Sequence, residues 1–420
     1  MSSPSSSVNA LDAPPGRGGQ PPAVWAVLAA SVVAFMGIGL VDPILPVIGK
    51  GLDASHSQIE LLFTSYFLII GLSNLLTGFV SSRLGDKKTL LTGLALVIVF
   101  SALAGQSGSV EEVVLYRAGW GLGIALFIST TMSVIIGHAN GGQQRAVTLF
   151  ESALGIGIST GPLLGALLGN ESWRAPFFGV AVLMAVAFAV VHFTVPATPP
   201  PAQRTRLSEP LRALTHKGLA TAGVVALFWN FGFFTLLAYT PLLLDMGVYQ
   251  LGATFFAWGV LVAVSAVWIA PAMLRRWPAT NMLGVILVVI VAILLVIGFG
   301  EGNEGVLVPA IVISGLPLGI GNSLLSNLLF GVSHTDPADA AAATNFIRFT
   351  GGAISPFLAG KLSEEVGASA PLYVSAGVVA LALVVLVVAR SILTPAAQPG
   401  GAPDADRAEA ETEHKELAAV

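Results

Sequence analysis

Residues 282–299 read MLGVILVVIVAILLVIGF, eighteen consecutive positions without a charged side chain. Wound as a helix at about 1.5 Å per residue, such a run approaches the roughly 30 Å of hydrocarbon in a bilayer, so it reads as a membrane-spanning helix. Similar apolar runs lie on either side of it. In the second half of the chain they are residues 219–244, 251–273, 306–330, 340–362 and 372–393. In the first half they are residues 24–48, 58–82, 89–104, 113–136, 146–168 and 176–195. The expectation is an all-α membrane protein with twelve transmembrane helices.

Composition points the same way. Hydrophobic residues make up 55% of the chain and charged residues 10%, against roughly 25% charged in ordinary soluble domains. A water-facing surface cannot be built from so few charges. The net charge is −4 and much of the acid falls in residues 404–420, which leaves no basic face for nucleic acid. Cysteine is absent, and with it disulfide scaffolds, thiolate metal sites and cysteine nucleophiles. His56, His138, His216 and His334 fall in loops or at helix ends, His192 ends the sixth helix and His414 lies in the C-terminal tail. None has metal-ligand or catalytic-triad spacing within a span, and no Walker loop is present to grip ATP. Neither an enzyme nor a cofactor or metal is expected.

Lys and Arg are retained on the cytoplasmic side of membrane proteins, so alternate loops can be counted. With both termini cytoplasmic, fourteen basic residues fall inside and three (Lys50, Arg174 and Lys361) outside, and two more, Arg117 and Arg348, lie within the membrane. That asymmetry orients the chain. Residues 1–22 are a Ser/Pro/Gly-rich segment expected to be a disordered cytoplasmic tail, and residues 394–420 a second one. Between them lie a six-helix bundle (23–196), a Pro-rich basic cytoplasmic linker (197–217) and a second bundle (218–393). Pro162 and Pro356 stand 194 residues apart, and Arg83 and Arg276 stand 193 apart, which favours two pseudo-symmetric halves.

A charge within the hydrocarbon costs at least about 2.5 kcal/mol on insertion scales and so needs a reason. Four are counted by position: Asp42, Arg117, Glu151 and Arg348. Asp42 in the first helix and Arg117 in the fourth share a depth in the outer half. They form either a permanent ion pair tying two helices together or a pair whose proton occupancy follows the wetting of the site. Glu151 and Arg348 share a depth near the inner face, as an inner-gate contact between bundles or as groups bonded within their own bundles. In the fifth helix Gly157, Gly161, Gly165 and Gly169 recur on one face with Pro162 among them. Such a stripe lets another helix backbone approach closely, either as static packing or as a bundle-to-bundle sliding surface, which is the favoured reading. Helices seven and ten supply Phe228, Asn230, Phe234 and Asn322, aromatic and amide groups suited to an amphipathic organic molecule in a central cavity. Packing or lipid contact would account for part of that set.

From about Val24 to Leu393 the chain resembles the major facilitator superfamily, and within it the twelve-helix drug/proton antiporters. The loop Gly78-Phe79-Val80-Ser81-Ser82-Arg83-Leu84-Gly85-Asp86-Lys87-Lys88 is similar to the family's inner-gate loop of Gly, three residues, Asp, Arg, any residue, Gly and basic residues. It departs with Ser82 in place of the Asp and Asp86 in place of a usual Arg. Gly157, Gly161, Pro162 and Gly165 resemble the antiporter motif of helix five, with Ala166 replacing its last glycine. Arg117, Gly121 and Gly123 resemble the helix-four motif, with Trp120 for a common glutamine. The resemblance implies that Arg117 assists proton transfer with an acidic residue of helix one, which maps to Asp42. It also implies that Gly78, Arg83, Gly85, Asp86 and Lys87 belong to an inner gate. The expected function is proton-coupled export of small amphipathic organic compounds by a monomer in the plasma membrane, with substrate, protons and lipid as its partners. Proton-coupled uptake of a sugar or organic acid, or a sensor that transports nothing, are the rival readings.

Overall fold

The computed structural model describes residues 19–140, 142–197, 212, 215–332 and 337–393. Apart from residues 19–22, of which Gln20 bonds Asn140 and Pro22 starts a helix, the expected tails lie outside these residues, as does most of the linker. In chain order the long helices are α1 (Pro22–Gly39), α2 (His56–Leu84), α3 (Asp86–Gln106), α4 (Val110–His138), α5 (Gly142–Gly169) and α6 (Ala175–Thr194). They are followed by α7 (Lys217–Leu243), α8 (Val248–Leu274), α9 (Ala279–Phe299), α10 (Glu304–Val332), α11 (Pro337–Glu365) and α12 (Ala370–Val388). No strand occurs among the described residues. Eleven of these helices are long and apolar enough to cross a membrane. The exception, α11, is 29 residues long but carries Asp339, Arg348, Lys361, Glu364 and Glu365.

Local chemistry sets the helix ends. Ser55 and Gln58 form a reciprocal capping box that starts α2, and Ser109 accepts the Glu112 N–H to start α4, each satisfying N–H groups that a helix leaves orphaned. Gly85, at φ +80°, turns the chain from α2 into α3 in one residue, a conformation that glycine adopts without penalty. The first expected span is broken. After α1, Asp42–Ile44 forms a single 3-10 turn and Leu45–Leu52 a short helix, because Pro43 and Pro46 cannot donate to the helical ladder. Single π turns interrupt α7 at Thr235–Tyr239 and α8 at Ser265–Ile269.

Helices α1, α3, α5, α7, α9 and α11 begin at the end of the molecule opposite the Ser55 cap of α2, and the end bearing that cap is called distal below. The glycine stripe of α5 faces α1, within its own half. A Cβ on Gly157 would come 2.6 Å from Val32 O, and one on Gly161 2.5 Å from Met36 O. At Gly165 it would overlap Leu40 O and at Gly169 the Ile44 side chain. The expectation that Gly157, Gly161, Gly165 and Gly169 form the bundle interface is therefore corrected: they seat α1. Spacing identifies a face suited to close approach but not the helix that approaches it.

The surface of α5 that meets the second half is another stripe of small groups. Ala166 and the Pro162 carbonyl lie against Gly252 of α8, Ser159 against Gly259, and Gly155 against Ala263. Pro162 thus serves both faces, with its ring against Gly39 of α1 and its carbonyl toward α8. The second seam joins α2 to α11, from Ser57 beside Gly360 to Gly71 beside Phe349. These contacts of both seams run from the distal end to about the middle of the helices.

The α1–α5 packing recurs 194 residues later. Gly351 of α11 abuts Leu227 O of α7 as Gly157 abuts Val32 O. Where Gly161 touches Met36 O, Ser355 instead donates a hydrogen bond to Phe231 O at 2.7 Å. Thr235, in the π turn of α7, joins Ser355 (2.7 Å) and Ser375 of α12 (2.6 Å), so three buried hydroxyls knit α7, α11 and α12 together.

Candidate functional site

Arg117 of α4 is fully buried. Its guanidinium carbon lies 4.0 Å from the Tyr66 ring centroid and 4.7 Å from that of Trp120, an arrangement in which the ring faces attract the cation. Gly37 makes room for this group: a Cβ there would come 2.9 Å from the Trp120 indole. Asp42 lies five residues beyond Gly37, in the 3-10 break that follows α1. Its side chain, like that of Glu151, lies outside the described set. The site brings a buried guanidinium onto two aromatic faces, one of which packs against α1.

In the second half, Asn322 of α10 accepts two hydrogen bonds on its Oδ1, from Trp229 Nε1 at 3.1 Å and from Arg348 Nη2 at 3.3 Å. Gly321 lets the Trp229 indole lie flat against α10, since a Cβ there would overlap the ring. Of the residues expected to line a cavity, Asn322 is thus tied to Arg348, and Asn230 is buried with its amide donating to Ala226 O of its own helix. Phe234 is 6% exposed and packs on Phe67 of α2 with ring centroids 4.1 Å apart. Phe228 is half-buried. Asn322→Leu is expected to leave the Trp229 indole N–H without its acceptor, costing about 1–3 kcal/mol, seen as a lowered unfolding temperature of the detergent-solubilised protein.

An unbroken succession of rings crosses the molecule. It runs Trp173, Phe177, Trp120, Tyr66 and Phe67 in the first half, then Phe234, Phe233, Trp258 and Phe255 in the second, with neighbouring centroids 4.1–6.3 Å apart. Phe349 of α11 closes on the crossing point, 5.9 Å from Phe67. The aromatic residues of α7 are therefore shared between packing and the junction of the halves.

The α2–α3 loop is bound to its own half. Arg83 donates to Phe79 O and stacks on the Phe79 ring, and Lys87 reaches His192 O of α6 at 2.7 Å. Asp86 stands in the first turn of α3, directly after Gly85. Ser82 is buried and donates to Phe79 O at 3.1 Å.

One group escaped the reading of the sequence. Glu60 of α2 is fully buried, yet it stands only two residues inside the start of the expected span at 58 and was not counted with the intramembrane charges. The signal that could have found it is spacing, because Ser57, Glu60, Thr64, Phe67 and Gly71 recur at three and four residues along one helix face.

Against known proteins, the family model described as Major Facilitator Superfamily matches residues 27–356. A Bacillus subtilis (strain 168) protein described as multidrug efflux protein YfmO is 46% identical over 374 residues, covering 89% of this chain and 94% of that one. Quinolone resistance protein NorA of Staphylococcus aureus is 23% identical over 362 residues, covering 84% and 92%. A solved D-xylose-proton symporter superposes with a TM-score of 0.73 at 13% identity, over 87% of this chain and 96% of that one, a likeness of fold.

Proposed function

The chain belongs to the major facilitator superfamily and is a multi-pass membrane transporter, and on that premise we propose that it exports small amphipathic organic compounds in exchange for protons. In this reading α11 is the twelfth span, the halves at 23–196 and 218–393 are two rocking bundles joined by residues 197–217, and both termini are cytoplasmic. The protein works as a monomer in the plasma membrane. The distal end is then the outer face, and the joined outer seams correspond to the inward-facing state of an alternating-access cycle.

The observation that carries proton exchange is the fully buried Arg117, stacked on Trp120, whose indole packs against Gly37 of α1 five residues before Asp42. A buried ionisable group in a span is retained for a function, and a carboxylate near a fixed cation binds a proton according to how wet the site is. Export is supported by the Bacillus relative, which matches over nearly the whole chain. The Phe67, Phe234 and Phe349 rings supply an apolar roof on which a substrate entering from the cytoplasm would stop.

Purified protein in proteoliposomes tests this. A gradient of a transported hydrophobic compound is expected to drive proton flux in the opposite direction, and Asp42→Asn is expected to bring that coupled flux to background. Substrate movement with no proton movement, or full exchange in Asp42→Asn, would overturn the proposal.

A further inference from the structure

At the end opposite the distal one, α9 and α12 leave a groove of about 370 Å³ between them, a size within the roughly 300–1,000 Å³ of small-molecule sites. It opens away from the molecule, past the exposed side chains of Val285 and Val288 on α9 and Val387 on α12. Its floor is bare at Gly284. A Cβ there would meet only Leu383 and Leu386 of α12, at 3.7 and 3.8 Å, which is ordinary contact. Packing therefore does not demand the glycine, although glycine weakens a helix relative to alanine. What the missing side chain leaves is space. Val288 lies nine residues beyond the start of α9 at Ala279, so the groove reaches about 13 Å along the helix axis.

Arg390, just past the end of α12, stands at the mouth of this groove. Its Nη2 donates to Asn281 Oδ1 of α9 at 2.6 Å, which holds the guanidinium across both helices. A guanidinium carries five N–H donors, and among the described residues no carboxylate pairs with Arg390. Arg275 and Arg276, exposed between α8 and α9, add to the positive charge of this end. Trp277, also exposed, comes four residues before Asn281, and tryptophan at the end of a span settles at the level of the lipid headgroups. A cation at headgroup depth thus caps an apolar slot that runs toward the hydrocarbon.

We propose that the groove binds one anionic phospholipid, with its phosphate on Arg390 and one acyl chain laid between α9 and α12. Charge and shape argue together. A neutral lipid would fill the slot but carry no net charge to the guanidinium, and a free anion would meet one exposed arginine and leave the slot empty. Arginine matches phosphate through parallel N–H···O bonds, and the cytoplasmic leaflet is the one rich in anionic lipid. The choice of leaflet rests on the proposed function, which makes this end cytoplasmic; binding itself does not. Both helices belong to the second half, so the lipid would brace α9 against α12 without crossing the seam between the halves.

Native mass spectrometry of the full chain in detergent, titrated with dioleoylphosphatidylglycerol or dioleoylphosphatidylcholine, tests this. The first phosphatidylglycerol is expected to bind about fivefold more tightly than the first phosphatidylcholine, the preference that one arginine at a membrane surface supplies. Arg390→Gln should remove most of that preference. Gly284→Leu, which fills the floor, should weaken phosphatidylglycerol binding with the guanidinium still in place. Should Gly284→Leu not fold, Arg390→Gln, at an exposed position, decides alone. Equal affinity for the two lipids, or phosphatidylglycerol binding unchanged in either variant, would overturn the proposal. So would a two-chain species that Gly284→Leu breaks up, since a second copy would then occupy the groove. No proton movement is read here, so lipid binding can fail with proton exchange intact, and loss of proton exchange leaves the lipid site standing.

Discussion

Gly165→Leu is expected to cost the protein its folded state, with little or no monodisperse protein recovered after solubilisation. The reason lies in backbone against backbone. A Cβ at Gly165 would overlap the Leu40 carbonyl, and α1 cannot back away because Gly157 and Gly161 hold it at Val32 and Met36 one and two turns further along. No flexible side chain is available to yield. Overpacking usually costs about 1–3 kcal/mol, and a clash with a helix backbone belongs at or above the top of that range. Even Gly165→Ala should lower the unfolding temperature clearly. Gly137→Ala and Gly377→Ala, where no atom lies within 4 Å of the added methyl, should not. Equal stability of all four variants would remove the stripe from its role in seating α1.

Gly252→Leu is expected to abolish transport while leaving the protein folded. Gly252 sits across the seam from Ala166 and the Pro162 carbonyl, so a side chain there wedges the halves apart without disturbing the packing of either one. A penalty of about 1–3 kcal/mol placed on one of two conformations shifts their ratio by about 5- to 150-fold. Transport in proteoliposomes should fall toward background, with an unfolding temperature close to that of the native chain. The exchange Gly252→Ala with Ala166→Gly moves one methyl across the seam and should restore much of the activity that Gly252→Ala loses. An active, unshifted Gly252→Leu would show that the seam does not close during transport.

These two glycines show where the sequence could be read and where it could not. The spans were legible because lipid offers the backbone no hydrogen bonds, so apolar composition alone demands helices. The repeat was legible in Pro162 and Pro356, and the structure adds that Gly157 and Gly351 perform the same packing in the two halves. What periodicity lacks is the identity of the neighbour. On α5 two stripes of small residues stand about a third of a turn apart on one helix, and the more regular of them is the one that meets α1. The junction between halves uses Gly155, Ser159 and Ala166, of which only Ala166 drew notice, as a departure from a motif. Seen from the other side the departure is balanced, since Gly252 lacks the side chain that Ala166 has. Asn230 and Phe234 show a related limit: an amide or ring on an inner helix satisfies its own backbone or a partner ring as readily as a ligand.

The packing repeat is matched in shape but not in chemistry. In the first half, α1 rests on α5 through bare glycine, with backbone set against backbone. In the second, Ser355 bonds the Phe231 carbonyl and shares Thr235 with Ser375, and each such bond must break before the helices can slip. The same joint is thus fitted like a dovetail in one half and riveted in the other, so a single lost hydroxyl could loosen only the second.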